Sequence, residues 1–265
     1  MKLPLYWIDA FTDKTFHGNP AAVVPLAAWP DAALMQRIAF ENGLAETAFF
    51  VRTGPDRFHL RWFTPELEMD LCGHATLASA FTIFTELGQA GDRIVFDSRS
   101  GPLTVTRAGG HLELDFPARP PEACPVAQIP PTLLAGLGGP PPQWIGKSRD
   151  YFCVYPDEAA VRALRPDFAA LNQIDVIGII VTAPGRDGVD FVSRFFAPNC
   201  GVPEDPVTGS SHCTLIPYWA QRLGKTRLQA RQISVRGGEL FCELRGDRVG
   251  IAGHGVLYLR GEIEV

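Results

Sequence analysis

What the sequence lacks already excludes several classes of protein. There is no run of about 18 apolar residues, so no membrane-spanning helix is expected. There is no surplus of positive charge. The formal net charge is −5 with both signs interspersed, which argues against broad nucleic-acid binding. No Gly-x-Gly-x-x-Gly follows a strand-like segment and strands do not alternate regularly with helices, which argues against a doubly wound dinucleotide-binding sheet. The six cysteines (72, 124, 153, 200, 213 and 242) include no Cys-x-x-Cys and no framework spacing. They read as reduced thiols, mostly packed as small hydrophobes in a cytoplasmic protein. No His-x-x-x-His or His/carboxylate cluster has metal-ligand spacing, so no metal site is expected. No Gly-x-Ser-x-Gly nucleophile elbow precedes a helix. The opening Met1–Asp9 begins like a secretion signal, but Asp9, Asp13 and Lys14 interrupt the apolar segment too early for one.

What is present is an ordinary globular composition: 265 residues, 46% hydrophobic and 20% charged. That length suffices for a full core and one or two domains. Arg57–Phe63 alternates Phe58, Leu60 and Trp62 against Arg57, His59 and Arg61, which is strand periodicity. Further strands are read at 5–11, 21–26, 47–52, 93–96, 103–107, 111–116, 151–155, 176–182, 189–196, 233–235, 240–244, 248–252 and 255–259. Asp31 caps a helix carrying Leu34, Ile38 and Leu44. The 75–88 segment is apolar nearly all round and predicts an enclosed helix. A second apolar helix covers 213–223, with Pro217 predicted to break one backbone hydrogen bond and kink it. Pro117–Pro131 holds six prolines and is the natural crossing between two halves.

The stretch that organises the chain is Asp70-Leu-Cys-Gly-His-Ala-Thr76, a tight Gly turn opening the first apolar helix. Helix starts present free amides and the positive end of the dipole, and so favour an anion. A second copy stands at Thr208-Gly-Ser-Ser211. Gly73 recurs as Gly209, Leu87-Gly88 as Leu223-Gly224, and Ser98 and Gly101 as Ser234 and Gly237, all at one constant offset. Arg61-Trp-Phe-Thr-Pro65 and Arg194-Phe-Phe-Ala-Pro198 precede the two copies. These repeats predict an internal duplication. The expected fold is α+β: two pseudo-symmetric half-barrels, each wrapping a central helix. The expected halves are residues 1–118 and 119–265, with the last strand free to return to the N-terminal half. A pseudo-twofold axis would bring both helix starts to one cleft, holding a small anion between His74 and the Asp205 segment.

His17-Gly-Asn-Pro20, Ala45-Glu-Thr47, Asp70-Leu-Cys-Gly-His-Ala-Thr76 and Glu204-Asp-Pro-Val-Thr-Gly-Ser210, in this order, resemble the phenazine-biosynthesis (PhzF-like) isomerase family of the diaminopimelate-epimerase fold group. The resemblance covers essentially the whole chain. It implies a cofactor-independent isomerase or epimerase acting on a small carboxylate, and a homodimer. It implies Glu46 as the acid/base, His74 and Asp205 as catalytic partners, and Asn19, Gly73, Gly209 and Ser210 around the substrate. One departure is Ala45, where family members commonly carry Ser before the Glu. It weakens any assignment of the phenazine precursor as substrate.

Read from the residues alone, the same positions carry blander alternatives. Glu46 lies in the apolar stretch Leu44–Val51, where a partly desolvated carboxyl would titrate nearer neutrality, or would point to water at a strand edge. His74 at a helix start is expected to be less easily protonated than a free imidazole, because the dipole opposes added positive charge. Asp205 precedes Pro206 and would cap a turn. Ser210 is an N-terminal turn residue by default. His212 reads as structural. Cys72 holds the position of one thiol of the two-thiol epimerases, but the repeat places Thr208 at the other, and a threonine hydroxyl is far too weak an acid to replace a thiol. Two alternatives to the isomerase remain: a non-catalytic small-anion binding protein, and a thiol-dependent racemase using Cys72.

Overall fold

The computed structural model describes residues 1–265, which form two compact units. Unit 1 comprises Met1–Phe116 with Gly250–Val265, and unit 2 is Pro117–Val249.

In unit 1, strand β1 (Lys2–Ala10) lies antiparallel to β2 (Asn19–Leu26). Helix α1 (Ala32–Asn42) starts where the Asp31 carboxylate accepts from the Ala33 amide and ends at Gly43, with φ of 61°. It leads to β3 (Glu46–Arg52), parallel to β2, and then to β4 (Arg57–Phe63), antiparallel to β3. The two-residue β5 (Glu68–Met69) folds back on β4, held by the two-pronged Arg61–Glu68 pair. Helix α2 (Gly73–Phe81) then leads to β6 (Arg93–Ser98), parallel to β4, and β6 continues into the antiparallel β7 (Gly101–Ala108) and β8 (His111–Pro117).

Every residue of α2 from Gly73 to Ala80 is buried. Its small residues, Gly73, Ala75, Ala78 and Ala80, let it pack against β1, β2 and β3. The hydroxyls of Thr76, Ser79 and Thr82 would be stranded in such a site. Each instead donates to the carbonyl four residues back. Such back-bonding loosens the main-chain ladder. The α-helix accordingly ends at Phe81 and widens into a π-turn over Thr82–Glu86, short of the continuous 75–88 helix expected.

Unit 2 opens with β9 (Glu122–Ala123) and α3 (Pro131–Leu137) and then repeats unit 1 pairing for pairing. Strand β10 (Trp144–Lys147) is antiparallel to β11 (Tyr151–Val154). After α4 (Glu158–Ala163) and α5 (Phe168–Leu171), β12 (Ile179–Pro184) runs parallel to β11 and antiparallel to β13 (Phe191–Ala197). Short β14 (Val202–Asp205) folds back on β13 under the Arg194–Glu204 pair, the counterpart of Arg61–Glu68. Helix α6 (Gly209–Leu223) leads to β15 (Arg227–Gln232), parallel to β13, and to antiparallel β16 (Gly238–Arg245). Strands β17 (Arg248–Gly253) and β18 (Gly255–Glu264) end the chain. β18 pairs with β1 as β9 pairs with β10.

Two local expectations need correction. The strand expected at 233–235 is a turn, with Val235 fully exposed. The strand is Arg227–Gln232, whose inward Leu228, Ala230 and Gln232 alternate with two arginines and a glutamine, too polar a segment to stand out. The proline in α6 does free the Cys213 carbonyl four residues back, but the Arg119 amide donates to that carbonyl at 2.8 Å. The helix therefore runs unbroken through Pro217.

Candidate active site

In unit 1 the parallel β2–β3 pairing sets Asn19 and Glu46 at the same strand ends, close to the start of α2. The ladder pairs Ala21 with Glu46, the first residue of β3. His74 is the second residue of α2 and Cys72 its N-cap. The structure gathers these four side chains. His74 Nε2 lies 3.1 Å from Glu46 Oε2, with the two side chains 5% and 13% exposed. The contact is close enough for charge pairing but off-axis for a hydrogen bond, and neither atom has another polar partner. On the far side of the ring, fully buried Asn19 offers Nδ2 to Nδ1 at 3.1 Å, and Cys72 Sγ lies 3.5 Å from the same nitrogen. With Asn19 donating to Nδ1, the proton of the neutral ring sits on Nε2 and faces the carboxylate.

The electrostatics differ from the expectation for a helix-start histidine. Burial disfavours the imidazolium, whereas negative charge at Cys72 and at Glu46 and their polar contacts with the ring favour it; the balance holds His74 well above the ordinary histidine range, and Glu46 is the charged partner that remains while Cys72 is a thiol. A full carboxylate charge at 3.1 Å exceeds the half-charge of a helix end, which is why the dipole argument gave the wrong sign. The Cys72 thiol is pushed up to about 11, chiefly by burial and then by Glu46, so at neutral pH it is a thiol and not a thiolate.

In unit 2 the sequence-predicted residues stand around the start of α6. Asp205 closes β14, and its Oδ2 accepts from Thr208 Oγ1 at 2.5 Å. Gly209 begins the helix. Ser210, its second residue, accepts from Arg149 Nη2 at 3.2 Å. Neither Cys72 nor Thr208 makes a side-chain cap bond, so both helices start with amides that their N-cap residues leave free.

Two residues of this region have no motif to mark them. Gln232, fully buried, accepts from the Thr208 amide at 2.9 Å and donates to the Asp205 carbonyl at 2.6 Å and Thr208 Oγ1 at 3.2 Å, which fixes the Asp205–Thr208 turn. Arg149 forks onto the buried Asp150 carboxylate, with its shortest bond at 2.7 Å, and reaches Ser210 with the same Nη2. Only the repeated strand pattern, which places β11 where β2 stands, could have drawn attention to it.

The repeat also shows what unit 2 does not carry. Thr47 pairs with Phe63 and Ile179 with Phe196, so the counterpart of Glu46 is Gly178. A Cβ there would lie 2.1 Å from the Phe195 ring, so that position cannot hold a side chain without repacking. Cys72 and His74 correspond to Thr208 and Ser210. The Glu46–Cys72–His74 cluster therefore has no counterpart in unit 2.

Residues 8–261 match the family described as phenazine biosynthesis-like protein (PhzC-PhzF). An uncharacterized isomerase of Pseudomonas aeruginosa is 52% identical, with both chains covered in full. A crystal structure of a PhzF-family phenazine biosynthesis protein from Enterococcus faecalis superposes with a TM-score of 0.95 at 49% identity, again over the whole of both chains. A hydroxyproline epimerase from Agrobacterium vitis shares the fold, with a TM-score of 0.62 at 11% identity over 99% of this chain and 92% of the other. The motifs that the sequence shares with this family are the residues that the structure gathers around His74 and around the start of α6, and a match of this extent is decisive: the chain belongs to the phenazine biosynthesis-like protein family and is an isomerase.

Proposed function

We propose that the protein moves a proton between two carbons of a small carboxylate, with Glu46 as the single base and no cofactor. The observation that carries this reading is the buried contact between Glu46 and His74 at 3.1 Å, beside a helix start with uncapped amides. Glu46 takes the proton from one carbon and returns it to another. His74 holds the carboxylate in place and shares its proton. The free amides at the start of α2 bind the substrate carboxylate. Asp205, Gly209, Ser210 and Asn19 are assigned to the same reaction on the strength of the shared motifs, Asp205 as a catalytic partner and the others in substrate binding.

The comparison of the halves supports one base rather than two. A two-base racemase needs an acid/base group from each, and the counterparts of Glu46, Cys72 and His74 are Gly178, Thr208 and Ser210. A neutral Cys72 thiol, titrating at about 11, is a poor base at neutral pH, which argues against the thiol-dependent alternative. The reading predicts a shift along one face of the substrate rather than inversion at one carbon. The test is a panel of unsaturated and amino-substituted small carboxylates incubated in D2O and followed by proton NMR. The wild-type protein should exchange or isomerise at least one of them, and Glu46→Gln should not, with its melting curve unchanged. Full exchange in Glu46→Gln sinks the assignment. Saturable binding without exchange of any bound candidate favours an anion-binding protein instead.

A further inference from the structure

Unit 2 holds a feature that the proposed proton transfer does not use. A cavity of about 690 Å³ is bounded by Arg149, by the 172–177 segment and by Asn199 and Cys200. Its place in the repeat matters. The 172–177 segment leads into Gly178, the counterpart of Glu46. Arg149 stands just before β11, the counterpart of β2. The cavity therefore opens at the strand ends that in unit 1 carry Glu46 and Asn19. Arg149 also ties it to Ser210 of α6, through Nη2 at 3.2 Å.

The lining is built to donate. Arg149 turns Nε and Nη2 toward the Asp150 carboxylate, with the two side chains 27% and 2% exposed. That pairing fixes the plane of the guanidinium. It leaves Nη1, which carries two N–H groups, bonded to no protein group. The 172–177 segment, by contrast, has three of its acceptors taken. Asn199 Nδ2 donates to the Ile174 and Val176 carbonyls at 2.6 and 3.1 Å, and Cys200 Sγ to the Ile177 carbonyl at 3.7 Å. Asp175 is the one carboxylate on the lining, and it is exposed, where solvent screens its charge. A group that accepts from a fixed guanidinium edge and brings no donor of its own is a carboxylate.

We propose that this cavity receives a second carboxylate of the substrate, which accepts from Arg149 Nη1. The substrate is then a small dicarboxylate, and Arg149 is the residue that selects it over a monocarboxylate. Asp150 is a positioning residue, which holds the guanidinium with its Nη1 edge turned outward. The inference rests on the isomerase reading above for the first carboxylate and the reacting carbons, whereas the preference for a diacid rests on unit 2 alone.

The experiment is isothermal titration calorimetry with the straight-chain diacids from succinate to suberate, each set against its own monoamide. The monoamide keeps the length and loses one charge. In wild type at least one diacid should bind more than about tenfold tighter than its monoamide, the effect of one hydrogen bond to a charged group. Arg149→Met should bring that ratio below about threefold. A merely structural effect, through Ser210 or the fold, would weaken both ligands alike and leave the ratio intact, and that result overturns the proposal. A wild-type ratio near one for every diacid, or no binding, overturns it too. Arg149→Met strands the buried Asp150 charge, so Arg149→Lys is the second variant. Its single ammonium pairs with Asp150 and has no further nitrogen to offer, so the ratio should fall there as well. If Arg149→Met proves unfolded by circular dichroism, a wild-type ratio in Arg149→Lys overturns the proposal. Asp175→Asn should keep the ratio or raise it, and loss of the ratio in that variant also overturns the assignment to Arg149. Calorimetry with saturated diacids involves no turnover. Deuterium exchange by Glu46→Gln is read separately, so the acid/base assignment stands or falls on its own.

Discussion

His212 should make the protein lose stability as the pH falls from 6.5 to 4, a loss that begins well above the range in which carboxylates protonate. The residue is the fourth of α6 and is completely buried. Its Nδ1 donates to the Thr208 carbonyl at 2.8 Å, which assigns the ring proton to that nitrogen. Nε2 is buried with no partner, and the ring tilts against Phe191 at 5.9 Å between centroids. Protonating Nε2 would bury a charge with nothing to receive it. Burial lowers the pKa to about 4, with the hydrogen bond to the Thr208 carbonyl acting in the opposite direction.

The sign follows from linkage. The unfolded chain takes up a proton at His212 near pH 6.5, while the folded chain resists until about pH 4. Stability is therefore complete above pH 6.5 and falls as the pH drops through that window. A difference of roughly 2.5 units at about 1.4 kcal/mol each gives a loss of about 2 kcal/mol by pH 5 and about 3 kcal/mol by pH 4. His74 acts in the opposite sense. Its raised pKa gives stability that is fully present below the unfolded value and is lost as the pH rises through the folded one. The carboxylates of Glu68, Asp97 and Glu243, held below the ordinary range by their arginines, act only at lower pH. All of these cancel in the comparison of wild type with His212→Gln, which keeps a donor for the carbonyl and does not titrate. Urea unfolding followed by far-ultraviolet circular dichroism at pH 7.5, 6, 5 and 4.5 gives the curves. Whatever the variant loses at pH 7.5, the gap to wild type should close or reverse by about 2 kcal/mol at pH 5. Curves that stay parallel within about 0.5 kcal/mol would refute the reasoning, since they would mean that His212 is protonated or solvated in the native state.

Three further outcomes can be checked with the same equipment. Gln232→Leu removes three hydrogen bonds and leaves the Thr208 amide and Asp205 carbonyl without that partner, so urea unfolding should show a loss of about 2–4 kcal/mol. Pro217→Ala should stabilise by well under the ~3 kcal/mol expected for removing a helix-interior proline, because the Arg119 amide already satisfies the Cys213 carbonyl; a gain near 3 kcal/mol in thermal unfolding would contradict that. Gly178→Ala drives a Cβ to 2.1 Å from the Phe195 ring and should cost at least about 2 kcal/mol, and a neutral effect would mean that the ring moves freely.

What could be read from the sequence was whatever is local. The Gly turns, the Asp31 cap and the alternation of Arg57–Phe63 depend on neighbours within a few residues, and the repeats at one constant offset gave the equivalence of α2 and α6. The residues gathered at the head of α2 came from a motif whose residue types are fixed. Gln232 escaped notice because its partners are 24 and 27 residues away and it ends a strand of mostly polar residues. Arg149 escaped because its link to Ser210 spans 61 residues. The protonation of His74 was misjudged for the same reason. The dipole that argues against a charge is written in the local helix, while the carboxylate that favours it comes from another element, 28 residues earlier.

The duplication turns this into an argument about how the site arose. Both units keep the groups that shape the backbone: the arginine–glutamate pair at Arg61–Glu68 and Arg194–Glu204, the glycine that opens the helix, and the serine landmark after it. Ser98 Oγ bonds the Gly101 carbonyl, and Ser234 Oγ bonds the Pro206 carbonyl beside the α6 turn. These constraints act on the chain path and hold in either half. The three positions that carry titratable groups in unit 1 are under no such constraint in unit 2, and there they hold Gly178, Thr208 and Ser210. At Gly178 the space has been filled from the side by Phe195, so a restored carboxylate would have to displace an aromatic ring from the core. Packing thus stands against a second carboxylate at that position.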